Sequence, residues 1–321
     1  MRAAACSQSL CDVVDARCLA RWANWMFEVD EFDQTSNTYA FGKGGNQGAR
    51  GEDSGGDYFV QNVFEELDYP GEFFYNQTTK QLYLWYNGTG APPADTTFVV
   101  PQQQLLVNMT GSQWEPVKGV KLSNIKYTAS AATYMERHGV PSAGDWALDR
   151  FAAVFLQGTE GVTVENCTFE RLDGNAVMFS GYNRNATVQH SDFAYIGGNA
   201  MAAWGYTNET AHDPGRPGVA LAGYPEAGVD GTDGEHPRYT NILSNTVREV
   251  GMYEKQSSFF IQAKTAQSNI QGNVFFNGPR AGINVRRPTC IHGHSMRPAF
   301  VVVVVFIDLF FGVFFSSCLS S

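Results

Sequence analysis

Residues 164–205 read VENCTFERLDGNAVMFSGYNRNATVQHSDFAYIGGNAMAAWG. Two phrases each occur twice in that stretch. VENCTF at Val164 returns as VQHSDF at Val188, and AVMFSG at Ala176 returns as AMAAWG at Ala200. Outward from there, the first phrase extends to LSNIKY at Leu122, ILSNTV at Ile242 and IQGNVF at Ile270. The second extends to AVFLQG at Ala153, SFFIQA at Ser258 and GINV at Gly282. Ala153, Ala176 and Ala200 are separated by steps of 23 and 24 residues, and the later copies follow an insertion over 207–238. Each phrase is a short, mostly apolar run of strand type. No window shows the 3.6-residue apolar period of a helix.

Units this short cannot bury a face of their own, so they must stack on one another. Two or three short strands per unit then give parallel strands about 4.8 Å apart. The expected fold is all-β: a parallel β-helix over residues 116–285. Residues 1–115 form an aromatic-rich, β-rich segment ahead of it, with a hairpin from Glu72 to Tyr86. The glycine-rich run from Gly42 to Asp57 lacks the strand–loop–helix setting of a phosphate loop and reads as a plain loop.

Composition bounds the function. The chain has 321 residues, 43% hydrophobic and 17% charged, so a sizeable core is expected and disorder is not. The net charge is −10 and no Lys/Arg stripe is present, which argues against nucleic acid as a partner. The same charge repels an acidic polysaccharide unless a local basic patch or a bound cation offsets it. Six cysteines include no C-x-x-C pair, so a zinc ribbon is not supported; Cys167 falls in a strand and reads as a core residue. Sequons at Asn76, Asn87, Asn108, Asn166, Asn185 and Asn208 point to a secreted or cell-surface protein, although no signal peptide is visible at Met1.

Several blocks carry a closer likeness: ELDYPGEFFYNQTTKQLYLW, GVPSAGDWALDR, RLDGNAV, YEKQSSFFIQAK and FNGPRAGIN. Across roughly Trp22 to Asn284 the chain resembles right-handed parallel β-helix proteins of the pectate-lyase-like superfamily. The resemblance implies a right-handed coil and relatives among carbohydrate-active enzymes, but no one reaction. After Asn284 the likeness stops. Residues 286–321 shift to a Val/Phe-rich tail, read either as translated non-coding sequence or as a membrane anchor over residues 299–315, which contain Asp308. A coil cut at an inner rung exposes unpaired strand edges, so the chain as written is expected to be unstable or aggregation-prone.

Alternation assigns the faces. Taking larger aliphatics as inward selects Val154/Leu156, Val177/Phe179, Met201/Ala203, Phe259/Ile261 and Ile283/Val285. The outward columns are then Gln157, Ser180, Trp204 and Gln262, followed by Thr159, Tyr182, Tyr206 and Lys264. Polar groups among aromatic faces suit a sugar polymer; an ordinary solvated β-face is the plainer alternative. The loops entering each strand place Asp173, Gly197 and Lys255, then Gly174, Gly198, Gln256 and Arg280, on successive rungs.

Asp173 and Glu254 are thus expected two rungs apart, roughly 10 Å, near the upper end of the separation in inverting glycosidases. The glycines between them leave room for a sugar. In a hydrolase the acids come from Asp173, Glu254 and Asp145. In a lyase, Lys255, Lys264 or Arg280 serves as base, with a cation neutralising the uronate. Trp204, Tyr206, Gln256, Gln262, Lys264 and Arg280 are the candidate substrate contacts. DGTDGEH, Asp230 to His236, is the one acidic loop considered for calcium; it lacks EF-hand spacing, and no metal or cofactor is assigned. His138 and His190 read as structural or surface residues. The leading expectation is a glycoside hydrolase acting on a polysaccharide. A lyase, and a non-catalytic carbohydrate-binding or structural β-helix, stand as alternatives.

Overall fold

The computed structural model describes residues 13–17, 24–44, 57–139, 147–206, 234–286 and 301–303. Two compact units divide between Val100 and Pro101. In the first, Asn24–Asp33 lies between Thr38–Gly44 and Val13–Arg17, and Asp57–Gln61 completes a four-stranded antiparallel sheet. The expected hairpin is present as Phe73–Asn76 paired with Gln81–Leu84. Asn76 Oδ1 accepts hydrogen bonds from the backbone N–H groups of Thr78 and Thr79, which closes its polar turn.

The second unit is a right-handed parallel β-helix with three sheets. The first contains Val107–Thr110, Val154–Glu160, Val177–Arg184, Met201–Trp204, Phe260–Ala263 and Ile283–Arg286. The second stacks Lys121–Ser123, Thr163–Glu165, Thr187–Gln189, Asn241–Leu243, Asn269–Gln271 and Val301–Val303. The third stacks Lys126–Thr128, Thr168–Leu172, Asp192–Ile196, Thr246–Val250 and Val274–Phe276. The five copies of the first phrase fall into one register: Leu122, Val164, Val188, Ile242 and Ile270 are successive partners.

The coil begins earlier than residue 116, because Val107–Thr110 already pairs with Val154–Gln157. The chain rejoins it after the insertion at Pro237–Arg238, which pairs with Asn183–Arg184. In the tail, Val301–Val303 pairs with Asn269–Gln271; the rest of the 299–315 run lies outside the described residues. No helix among the described residues is long and apolar enough to cross a membrane.

Corners hold the rungs in register. Between the second and third sheets, Asn124, Asn166, His190, Ser244 and Gly272 all take φ between 50° and 67°. All five are Asn, Ser, His or Gly, whose small or locally hydrogen-bonding side chains tolerate the left-handed region. The following residue points inward and builds a ladder. Ser191 Oγ accepts from the Cys167 N–H, Asn245 Oδ1 from the Ser191 N–H and Asn273 Oδ1 from the Asn245 N–H. Between the first and second sheets, Gly158 at φ +60° lies so close to the Gly111 backbone that a Cβ has no room. Inside the coil, Tyr127, Phe169 and Phe193 stack at 4.8 and 4.5 Å.

One expected register is wrong. Met201 pairs with Phe260, and Ala203 with Gln262, so Phe260 and Gln262 occupy the inward positions and Ile261 and Ala263 the outward ones. Phe259 stays buried at the corner, stacked on Phe275 at 4.7 Å. The corner decides this slip. Asn175 Oδ1 accepts from the Asn199 N–H and Asn199 Oδ1 from the Ser258 N–H, so Ser258 continues the asparagine position rather than that of Ala200.

Asn245→Ala removes the acceptor for the buried Ser191 N–H and the donor to Val188 O. At about 1–3 kcal/mol for each buried group left unpaired, urea denaturation is expected to show a loss of about 2–4 kcal/mol. A loss below about 0.5 kcal/mol contradicts a structural ladder.

Candidate active site

The outward face of the first sheet is not an open platform. Leu148 and Ala152 pack with Phe155, Met178, Ala202, Trp204, Ile261 and Ala263 into a second apolar cluster. Gln157, Ser180 and Trp204 are in register as expected, but Ala263 takes the fourth place. Trp204 is 1% exposed and lies under the Arg150 guanidinium at 3.8 Å; Tyr206 lies under the same group at 4.1 Å. Arg150 also donates to Trp204 O at 2.7 Å. The buried cation occupies both rings, so Trp204 and Tyr206 do not present free faces for a sugar. The second column shifts as well: Thr159 pairs with Asn183, and Tyr182 falls in the bulge between.

Gln262 is sealed inside the coil, where its Oε1 accepts from Thr265 and Ser268 hydroxyls. Lys264 is buried and takes φ 54° at the corner turned by Gly158 and Gly181 on lower rungs. Lys255 Nζ donates to the carbonyls of Gly251 at 2.9 Å and Met252 at 2.8 Å, closing its own loop. Gln256 is buried, and Arg280 is half-buried after Pro279, whose ring packs on Gly251. Asp145 and most of the acidic loop from Asp230 lie outside the described residues.

The Asp173 backbone and the Glu254 side chain both adjoin a bare step of backbone at Gly197–Gly198. The Tyr253 and Glu254 N–H groups both donate to Gly197 O, and the Gly198 N–H donates to Gly174 O. A Cβ on Gly197 would stand 2.7 Å from the Asp173 backbone, and one on Gly198 2.9 Å from Glu254 Oε2. Backbone leaves room only for glycine at Gly197, and a side chain at Gly198 would displace Asn175 Oδ1 or Glu254 Oε2. Beside them the rings of Tyr134 and Tyr253 lie 4.9 Å apart, with Tyr253 exposed. Burial raises the Asp173 carboxyl above the usual aspartate range. Burial, then Tyr253 and Asp173, raise the Tyr134 phenol to about 12; burial, then the Asp173 charge, raise that of Tyr253.

Two further residues complete the cluster. His138 Nε2 lies 2.7 Å from Glu254 Oε1, and its Nδ1 lies 2.8 Å from Glu136 O. A carbonyl only accepts, so Nδ1 carries a hydrogen. The Nε2–Oε1 contact then needs a proton of its own. The pair therefore holds one proton more than a neutral imidazole beside a carboxylate. Burial works against the charged ring, but the Glu254 charge and hydrogen bond overcome it and raise His138 to about 9. Asp149 is wholly buried nearby; burial lifts it to about 7 against the opposing pull of His138 and of the Thr133 hydroxyl. Thr133 lies beside it, yet Thr133 Oγ1 and Asp149 Oδ2 make no hydrogen bond of ordinary geometry.

His138, Asp149, Tyr134 and Tyr253 were not among the candidates from sequence. His138 and Glu254 are 116 positions apart, and only the coil brings them together. Among the described residues no group of three or more His, Cys, Asp or Glu side chains is arranged to hold a metal ion.

No protein-family model and no curated protein matches this chain. A solved structure of a protein named glycoside hydrolase is similar in fold. Its TM-score is 0.67 at 16% identity, over 87% of this chain and 51% of that one. The chain thus spans about half the length of that neighbour.

The raised His138 value has a consequence for stability. The folded state holds the proton more tightly than the unfolded one, whose histidine titrates near 6.5. The stabilisation is fully present below pH 6.5 and is lost as pH rises through about 9. Urea midpoints are expected to fall between pH 7 and 9, and the fall to flatten in His138→Gln. An unchanged slope in that variant contradicts the pairing.

Proposed function

We propose that this protein is a carbohydrate-active β-helix of the pectate-lyase-like kind, and that it hydrolyses a polysaccharide at the Asp173–Glu254 cluster. The observation that carries this reading is the meeting of the Asp173 backbone and the Glu254 Oε2 atom at the side-chain-free Gly197–Gly198 step. The two acids differ in environment, as acid and base must. Asp173, raised by burial, is the proton donor to the glycosidic oxygen. Glu254, held at Oε1 by His138, keeps Oε2 toward the glycine step and takes a proton from water as that water attacks the anomeric carbon. The C–O bond breaks, the leaving hydroxyl takes the Asp173 proton, and Glu254 holds the proton from water. Tyr134 and Tyr253 supply the aromatic surface on which a pyranose ring stacks.

The loops bearing the two acids are two rungs apart, a backbone spacing of roughly 10 Å, which suits the wider carboxylate spacing of an inverting reaction better than the roughly 5 Å of a retaining one. A lysine-based lyase has less support, because Lys255 is bonded to its own loop and Lys264 is buried at a corner. A secretory route is consistent with the sequons at Asn166 and Asn185, whose asparagines are exposed at corners of the coil.

Reducing-end release from a panel of polysaccharides tests this reading. Asp173→Asn and Glu254→Gln are each expected to lower kcat by about 10²- to 10⁴-fold with the fold retained. Full activity in both variants contradicts it, and an unsaturated, ultraviolet-absorbing product indicates a lyase instead.

A further inference from the structure

The third sheet carries a groove of about 270 Å³ on its outer face. Its strands Thr168–Leu172, Asp192–Ile196 and Thr246–Val250 run in parallel register, with Phe169, Phe193 and Val247 in the core. The residues on either side of those three point outward. Thr168, Asp192 and Thr246 form one outward column, and Glu170, Ala194 and Arg248 the next. Ala194 is the smallest of the six. It forms the floor of a pit walled by the other five.

The walls present hydrogen-bonding groups that the fold does not use. Asp192 is exposed, and among the described residues its carboxylate has no hydrogen bond or ion pair. Arg248 is half-buried with its guanidinium 5.0 Å from the Tyr195 ring, and among the described residues it has no acceptor. The ring orients the guanidinium plane without occupying its N–H donors. Glu170 differs, because Lys126 at 2.6 Å and Arg171 at 2.8 Å already balance its charge.

Asp192 and Arg248 lie on adjacent rungs and two positions apart along the strand, since Asp192 pairs with Thr246. An acceptor and a donor held apart in this way match neighbouring hydroxyls of a sugar, each of which both donates and accepts. A charged sugar fits less well, because Asp192 and Glu170 both line the pit and repel an anion. The volume is just below the roughly 300 Å³ at which ligand pockets begin, which suits one sugar unit rather than a longer segment.

The same strands lead from the pit to the candidate active site. Glu170 is three residues ahead of Asp173, Ala194 three ahead of Gly197, and Arg248 three ahead of Gly251. At about 3.3 Å per residue the two places are roughly 10 Å apart, within reach of one polymer. We propose that the pit over Ala194 is a subsite for one neutral sugar unit, with Arg248 donating to its hydroxyl oxygens and Asp192 accepting from a hydroxyl. That this unit belongs to the polysaccharide cut at the Asp173–Glu254 cluster rests on the hydrolase reading above.

Isothermal titration calorimetry of the full chain carrying Asp173→Asn, which keeps a bound sugar from being consumed, tests the pit. The probes are neutral tetrasaccharides of glucose, mannose, galactose and xylose, each alone, and a tetragalacturonate. At least one neutral tetrasaccharide is expected to bind. Its affinity is expected to fall about tenfold in Arg248→Gln and in Asp192→Ala, as for the loss of one hydrogen bond to a charged group. Ala194→Arg, which fills the pit, is expected to weaken it at least as much. All three positions are on the outer face, and either of the first two serves if the third variant fails to fold. The proposal is overturned if no neutral tetrasaccharide binds, if tetragalacturonate binds as tightly as the best neutral one, or if affinity is unchanged in the variants that fold. Neutral-sugar binding that is lost in these variants, with no polysaccharide hydrolysed by the native chain, overturns the hydrolase reading and leaves the pit standing. Hydrolysis by the native chain with kcat/KM unchanged in Arg248→Gln leaves the hydrolase reading standing and overturns the pit as its subsite.

Discussion

Everything in the coil depends on corner residues held at positive φ. A rung closes only if the chain turns sharply between sheets, and the turn between the second and third sheets uses the left-handed region on every described rung. That turn leaves the next backbone N–H pointing along the axis, where water does not reach it. The Ser191–Asn245–Asn273 ladder satisfies those groups from the neighbouring rung. Corner and ladder together fix the register, and the register decides which side chains face the core. The slip on the fifth rung follows from this, since the ladder position at Ser258 places Phe260 on the inward side.

The same corner constraint places the candidate chemistry. Where the third sheet returns to the first, loops of different length can be inserted without disturbing the strands. Asp173, the Gly197–Gly198 step and the 251–257 loop occupy that return on successive rungs. The stretch from Thr133 to His138 brings a histidine and two aromatic or hydroxylic side chains onto the same cluster. The first sheet carries a covering layer on its outer face, with Arg150 stacked on Trp204, so the proposed reactive groups lie at its edge rather than at its middle.

Much of the fold was legible in sequence because each rung must repeat one inward aliphatic. Leu122, Val164, Val188, Ile242 and Ile270 align by eye and pair in the structure. The run Ser258–Ile261 defeated the same logic. Phe259, Phe260 and Ile261 are all apolar, so alternation has two solutions and only the corner hydrogen bond selects one. That the loops bearing Asp173 and Glu254 adjoin the Gly197–Gly198 step was legible, because those loops align with the repeat. His138 and Asp149 were not: each is a single residue in an irregular stretch, and the Glu254 that His138 meets is 116 positions away. Trp204 misled for a physical reason, since its cover comes from residues 147–152, which carry no repeat.

The central claim is that Asp173 and Glu254 act as separated acid and base, two rungs apart, with a water on the far side of the sugar. The anomeric configuration of the first-formed product, followed by ¹H NMR during turnover of a hydrolysed polysaccharide, tests it most directly. Inversion is the predicted result. Net retention requires carboxylates about 5 Å apart and contradicts the account.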